Sequence, residues 1–122
     1  MSRVILAFTF ALACVFCRGV TAVEPLRILS YNIHHAEGLD DKLDLPRIAE
    51  VIKSVSPDFV FLQEVDRRVL RSGQVDQATE LGKLTGLHSA FGGNIRLGAG
   101  DYGNAILSRF PLRELKNHPL PN

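Results

Sequence analysis

The chain has 122 residues, 46% of them hydrophobic, with 14 basic against 13 acidic side chains. That length suits one ordinary domain, and the near-neutral balance gives no basic footprint for duplex nucleic acid. Only two cysteines are present, Cys14 and Cys17, so no disulfide framework can hold the chain together.

Met1-Ser2-Arg3 makes a short positive head, and Val4 to Cys17 is almost purely apolar. Val20 and Ala22 meet the small-residue rule for cleavage. Residues 1–22 are therefore expected to be a signal peptide cut after Ala22, with the mature protein secreted or periplasmic. The apolar run falls short of the roughly 20 residues of a membrane span, so no stable span is expected after cleavage. An uncleaved, membrane-anchored leader is the alternative. Cys14 and Cys17 leave with the leader, which makes their C-x-x-C spacing a coincidence. Arg3 and Arg18 leave too, so 12 basic residues face 13 acidic ones and the net charge becomes −1.

After a tail at Val23 to Pro25, residues Arg27 to Ile33 read as a strand of mixed pattern. A polar loop follows from His34 to Leu43, with Gly38 for a turn. Asp44 is an N-cap and Pro46 fits the first helical turn. Leu45, Ile48, Val51, Ile52 and Val55 then fall at helical spacing and form one apolar stripe. Phe59-Val60-Phe61-Leu62-Gln63-Glu64 is a short apolar run that reads as a strand buried on both faces. A charged loop, Val65 to Gly73, comes next. Asp76 caps a second helix with Ala78, Leu81 and Leu84 inward and Gly86 as its stop. His88 to Phe91 reads as a strand leading into Gly92-Gly93-Asn94. A glycine-punctuated turn spans Arg96 to Gly100, a strand runs from Gly103 to Arg109, and a last one is expected from Leu112 to His118. The class is α/β, with pairing order open.

Two residues carry chemistry. Glu64 sits where its strand leaves the core, and a half-withdrawn carboxylate needs an Arg, backbone amides or a metal beside it. Asn32 ends the first strand. Two strands each delivering one hard oxygen donor at the same end make a natural Mg²⁺ site. The plainer alternatives stay open: Glu64 pairing with Arg67 or Arg68, and Asn32 starting a turn. His34 and His35 are adjacent on an extended segment and should point to opposite sides, with no Cys or further His to complete a zinc site. They read as surface loop residues.

Ser30-Tyr31-Asn32-Ile33, Leu62-Gln63-Glu64-Val65 and Tyr102-Gly103-Asn104-Ala105-Ile106-Leu107-Ser108-Arg109 occur in that order. This ordered set, spanning Leu26 to the end, resembles the endonuclease/exonuclease/phosphatase superfamily. That superfamily includes deoxyribonuclease I, abasic-site endonucleases, bacterial sphingomyelinases and inositol-phosphate phosphatases. Arg71-Ser72-Gly73 and Val75-Asp76-Gln77 add a likeness to its small bacterial hydrolases. The resemblance implies part of a four-layer α/β-sandwich, an α+β arrangement of the deoxyribonuclease I type. It implies Mg²⁺ (or Mn²⁺) held by Glu64, with Asn32 beside the metal and both counted as catalytic. It places Asn104 toward substrate, allows His34 to contact the substrate phosphate, and makes Arg109 a structural or rim residue. Arg71 and Gln77, in the stretch typical of the small bacterial hydrolases, read as solvated loop residues before substrate contacts. The implied substrate is a phosphate ester: nucleic acid, a phospholipid headgroup or a small phosphorylated metabolite. No obligate protein partner is implied.

In that family a later His and Asp pair, a G-D-x-N segment and an S-D-H segment complete the site and supply acid and base. None occurs up to Asn122. Residues 23–122 are thus expected to be the N-terminal part of the domain, truncated after roughly its first half, with little or no hydrolysis of their own. The alternative is a non-catalytic degenerate binding module or truncated gene product.

Overall fold

The computed structural model describes residues 23–118. The expected leader with Cys14 and Cys17, and the terminal Asn122, lie outside the described residues. Helix α1 covers Leu45–Val55 and α2 covers Gln77–Thr85, and each starts where its capping residue dictates. The Asp44 carboxylate accepts from the Arg47 N–H at 2.8 Å, and the Asp76 carboxylate accepts from the Thr79 N–H at 3.0 Å. At the far end of α2, Gly86 adopts φ +73°, the left-handed turn that needs no side chain. On α1 the buried stripe is Ile48, Ala49 and Ile52. Val51, expected inward, is 42% exposed, because the buried stripe runs through Ala49 and Val51 lies about 100° round the helix from Ile52 on the opposite side.

Four strands form one sheet in the order β1-β2-β4-β3, with β1 at Ile28–Asn32, β2 at Phe59–Arg67, β3 at His88–Leu97 and β4 at Gly100–Ser108. β1 and β2 are parallel, joined through α1, while β2, β4 and β3 pair antiparallel. The middle pair, β2 and β4, carries the core: Val60, Leu62, Val65, Ala105 and Leu107 pack against Ile48, Ile52, Ala78 and Leu81 of the helices. β3 and β4 approach closely, since a Cβ on Gly103 would strike the Gly92 carbonyl. That approach leaves only glycine at the position.

Both helices share one face of the sheet. β2 is an inner strand, as its apolar run suggested, but among the described residues it is covered on that face alone. Phe61 is 40% exposed and Ile28 58% on the other side, with Ser30 between them also exposed. β1 alternates cleanly, Leu29 and Tyr31 packed and Ile28, Ser30 and Asn32 outward. β3 and β4 run longer than expected because a two-residue turn at Gly98-Ala99 lets them pair from end to end. The last expected strand is absent: Leu112 to His118 makes no ladder, and Asn117 instead donates its side-chain N–H to the Gly93 carbonyl at 2.9 Å. Among the described residues no helix is long and apolar enough to cross a membrane.

Candidate functional site

Strand β2 contains one residue too many for its neighbour. Leu62 pairs with Ala105 and Val65 with Gly103, so Gln63 and Glu64 together oppose the single residue Asn104. This is a β-bulge. Strict alternation after Val60 and Leu62 would have sent Glu64 into the helix-packed core. The bulge cancels that step: Val65 takes the core position, and Glu64 adopts φ +59°, a left-handed backbone that costs a non-glycine residue about 1–2 kcal/mol. Its carboxylate is thereby turned toward Asn32, where β1 stops while β2 runs on to Arg67.

Asn32 meets it there. The Asn32 amide donates to Glu64 Oε1 at 2.7 Å, and its own oxygen accepts from the His34 N–H at 3.0 Å. The carboxylate needs a donor and the N–H needs an acceptor, so the amide has only one sensible orientation. The ion pairs allowed by the sequence do not form. Arg67 turns to Asp101 at 2.7 Å, and among the described residues no Lys or Arg pairs with Glu64.

After Ile33 the chain does not stay extended. His34, His35 and Ala36 have φ of 45°, 43° and 65°, three consecutive left-handed residues. The turn is held from within and without: the Ala36 N–H donates to the Ile33 carbonyl at 2.8 Å, and the Gln77 amide donates to the His35 carbonyl at 2.7 Å. Ile33 and Ala36 are buried beneath it. Adjacent histidines on such a turn no longer point apart. Their ring centroids lie 4.4 Å apart, and ligand atoms of His34, His35 and Glu64 all fall within 4.8 Å of one another. His34 is exposed and His35 buried.

A second cluster props the first. Asp66, fully buried, accepts a two-pronged contact from Arg71 at 2.9 Å and 2.9 Å, and a third from the Ser72 hydroxyl at 2.9 Å. Burial acts to raise the Asp66 pKa, but the bonds from Arg71 and Ser72 and the Arg71 charge outweigh it, so the carboxyl is held below its ordinary value. The Asp66 N–H donates to Gln77 Oε1 at 2.9 Å, so Gln77 links this cluster to the histidine turn. Arg71 also lies 5.4 Å over the Tyr102 ring. Burial, then the Glu64 charge, push the Tyr102 phenol up.

The structure thus brings together Asn32, Glu64 and His34, with Asn104 across the bulge on the exposed face. Arg109 lies at the other end of β4, paired with Asp58 at 2.7 Å. Arg71 and Gln77, read as solvated loop residues, are braces: one grips Asp66 and the other joins Asp66 to the histidine turn. Sequence reasoning missed Asp66, Tyr102 and the inward role of His35. Asp66 left one readable signal, an acidic residue two positions after Glu64 with Arg71 and Ser72 soon after.

The donor set suits a divalent cation. It offers a carboxylate without a basic partner and two imidazoles, all at one point.

The sequence model of a family described as the Endonuclease/Exonuclease/phosphatase family matches residues 29–122. Among solved structures, the chain is similar to an endonuclease/exonuclease/phosphatase from Beutenbergia cavernae DSM 12333, at 31% identity and a TM-score of 0.58. The match covers 70% of this chain and 26% of that one. An endonuclease/exonuclease/phosphatase family protein from Leptotrichia buccalis C-1013-b shares the fold at 18% identity and a TM-score of 0.52, over 73% of this chain and 40% of that one. The chain therefore spans well under half the length of either structure. No curated protein matches it.

Proposed function

This chain belongs to the endonuclease/exonuclease/phosphatase family, and from that premise we propose that its site serves a metal-dependent phosphoesterase, hydrolysing a phosphodiester or phosphomonoester. Family membership supports a hydrolase of the nuclease and phosphatase type, and enzymes of this family generally use a divalent metal. The observation that carries the reading is Glu64, a carboxylate turned out of the core by a strained bulge, fixed by Asn32 and paired with no cationic side chain among the described residues.

A divalent cation at Glu64, Mg²⁺ or Mn²⁺ by the family resemblance, would polarise a phosphoryl oxygen and offset charge developing there. The chain's own residues do the rest. Asn32 holds Glu64 in one orientation and ties it to the histidine turn. Asn104, opposite the bulge, offers a neutral amide to a phosphate oxygen without adding charge. His34, exposed beside Glu64, is within reach of the same ligand. Nucleic acid, a phospholipid headgroup and a small phosphorylated metabolite all present the group this site would hold. We further read residues 1–22 as a cleaved leader, residues 23–122 as part of the catalytic domain, and the mature protein as secreted or periplasmic.

The test is hydrolysis of a nitrophenyl phosphodiester and the matching monoester by the natural product from its host, with and without divalent metal. Metal-dependent turnover that drops at least about 100-fold in Glu64→Gln supports the assignment. Folded protein with no turnover on either ester under any metal sinks it. It would then favour the non-catalytic reading.

A further inference from the structure

We infer that His34, His35 and Glu64 form a single cation site of two imidazole nitrogens and one carboxylate, and that this site selects a first-row transition ion over Mg²⁺. The inference rests on the reading of Glu64 as the cation-holding carboxylate, and adds to it which cation is held.

The backbone makes the cluster possible. An extended His34-His35 pair would split across two faces, but the left-handed turn folds both rings to one side, next to Glu64. Each imidazole then has one nitrogen engaged by Glu37. His34 Nδ1 lies 3.3 Å from the Glu37 carbonyl, and His35 Nε2 lies 3.3 Å from the Glu37 carboxylate. Carboxylate or carbonyl contacts of this kind accompany metal-bound histidines, because they fix the tautomer and aim the other nitrogen. The remaining nitrogens, Nε2 of His34 and Nδ1 of His35, have no hydrogen bond among the described residues. The third donor is aimed as well. Asn32 binds Glu64 Oε1 with its amide nitrogen and the His34 N–H with its oxygen, so one side chain fixes the separation of the two arms. Gln77 fixes the turn a second time through the His35 carbonyl.

The chemistry of the donors sets the preference. Mg²⁺ takes oxygen ligands in a near-octahedral shell and keeps its waters, so two imidazoles offer it little. Imidazole suits Zn²⁺, Co²⁺ and their neighbours, and two histidines with one carboxylate is a common set for such ions, with positions left for substrate or water. Bound metal at about 2.0–2.2 Å from each donor draws the three closer than their present 4.8 Å limit. The exposed His34 ring makes that adjustment by side-chain rotation.

The test is direct binding to the full chain after removal of metals by a chelator. Co²⁺ is titrated and followed by its visible absorption, and then Zn²⁺, Mn²⁺ and Mg²⁺ are added as competitors. The expected result is a Co²⁺ band showing nitrogen ligation, displaced by Zn²⁺ and unmoved by about 100-fold excess Mg²⁺. His34→Ala, at an exposed position, weakens Co²⁺ binding by more than about 100-fold. Glu37→Gln weakens it about 10–100-fold, the usual effect of losing a partner behind a metal-bound histidine. His88→Ala, an exposed histidine at the start of β3, changes nothing. Displacement of Co²⁺ by an equal concentration of Mg²⁺, or wild-type Co²⁺ affinity in His34→Ala, overturns the proposal. Because binding alone is read, the two readings fail separately. Tight His34-dependent Co²⁺ binding without ester hydrolysis refutes the phosphoesterase and leaves this site standing. Ester hydrolysis with Mg²⁺, indifferent to His34→Ala, does the reverse.

Discussion

Glu64 and Asp66 stand two residues apart on the same strand, and their surroundings are opposite. Asp66 is withdrawn from water and receives three donors from Arg71 and Ser72. Glu64 lies at the bulge within β2, half-buried, with the Asn32 amide at 2.7 Å and the Tyr102 phenol beside it. Asp66 sits in a strand ladder, whereas Glu64 holds a left-handed backbone. A carboxylate with both oxygens bound within the protein, and a cation among the donors, stabilises the fold. One held by neutral partners and strained into place keeps acceptor capacity for something else. The pair shows that burial of an acid is no guide to its function unless its hydrogen bonds are counted.

Four experiments break or sharpen this contrast. The largest effect belongs to Asp66→Asn, which leaves the guanidinium of Arg71 without its partner. Loss of about 3 kcal/mol is expected in urea unfolding, at the low end for a broken buried pair because Arg71 can still reach water. Next comes Gln77→Leu. It strands the buried His35 carbonyl and Asp66 N–H together, costs about 2 kcal/mol, and loosens Co²⁺ binding at the histidine turn. If stability falls while binding is unchanged, the two carboxylates are not mechanically linked. Glu64→Gly should run the other way. Removing a side chain from a left-handed position leaves stability unchanged or raises it by about 1 kcal/mol, while cation binding disappears. A marked loss of stability would make Glu64 a second structural acid and collapse the comparison.

The smallest effect concerns Asp101, an intermediate case on β4. The hydrogen bond from Arg67, then the Arg96 charge, hold its carboxyl below the ordinary value against partial burial. A depressed folded-state pKa means that its stabilisation is complete above the unfolded value near 3.8 and fades as pH falls through the folded one. The urea midpoint of the wild type should therefore drop more between pH 6 and pH 3 than that of Asp101→Asn. Parallel curves would show that the Arg67 and Arg96 contacts carry no stability.

Much of this was readable from the chain because it depends on neighbours in sequence. The caps at Asp44 and Asp76, the stop at Gly86 and the apolar run of β2 are local signals. Glu64 and Asn32 were found together because each follows a strand-like run and the two strands point the same way, although β2 runs on to Arg67. What escaped depends on contacts distant in sequence. The bulge exists only relative to β4, and nothing between Phe59 and Arg67 announces a residue too many. The histidine turn is held by Gln77, some 40 positions later, so a local reading made it extended and sent the two rings apart. Leu112 to His118 holds no β-branched residue and none of Phe, Tyr or Trp. In the described residues the ladder ends at β3, and a single amide bond from Asn117 takes the place of the expected strand.

The bulge also says how such a site can come and go. The core does not need Glu64: with that residue deleted, Leu62 and Val65 would alternate across Gln63 as in any regular strand, and each would keep its place against the helices. One in-frame codon thus separates a copy of this domain without an outward carboxylate at the bulge from one that has it. The copy lacking it would fold at least as well. Folding sets no requirement for the extra residue, so the packing of the core leaves position 64 free to serve the outer face.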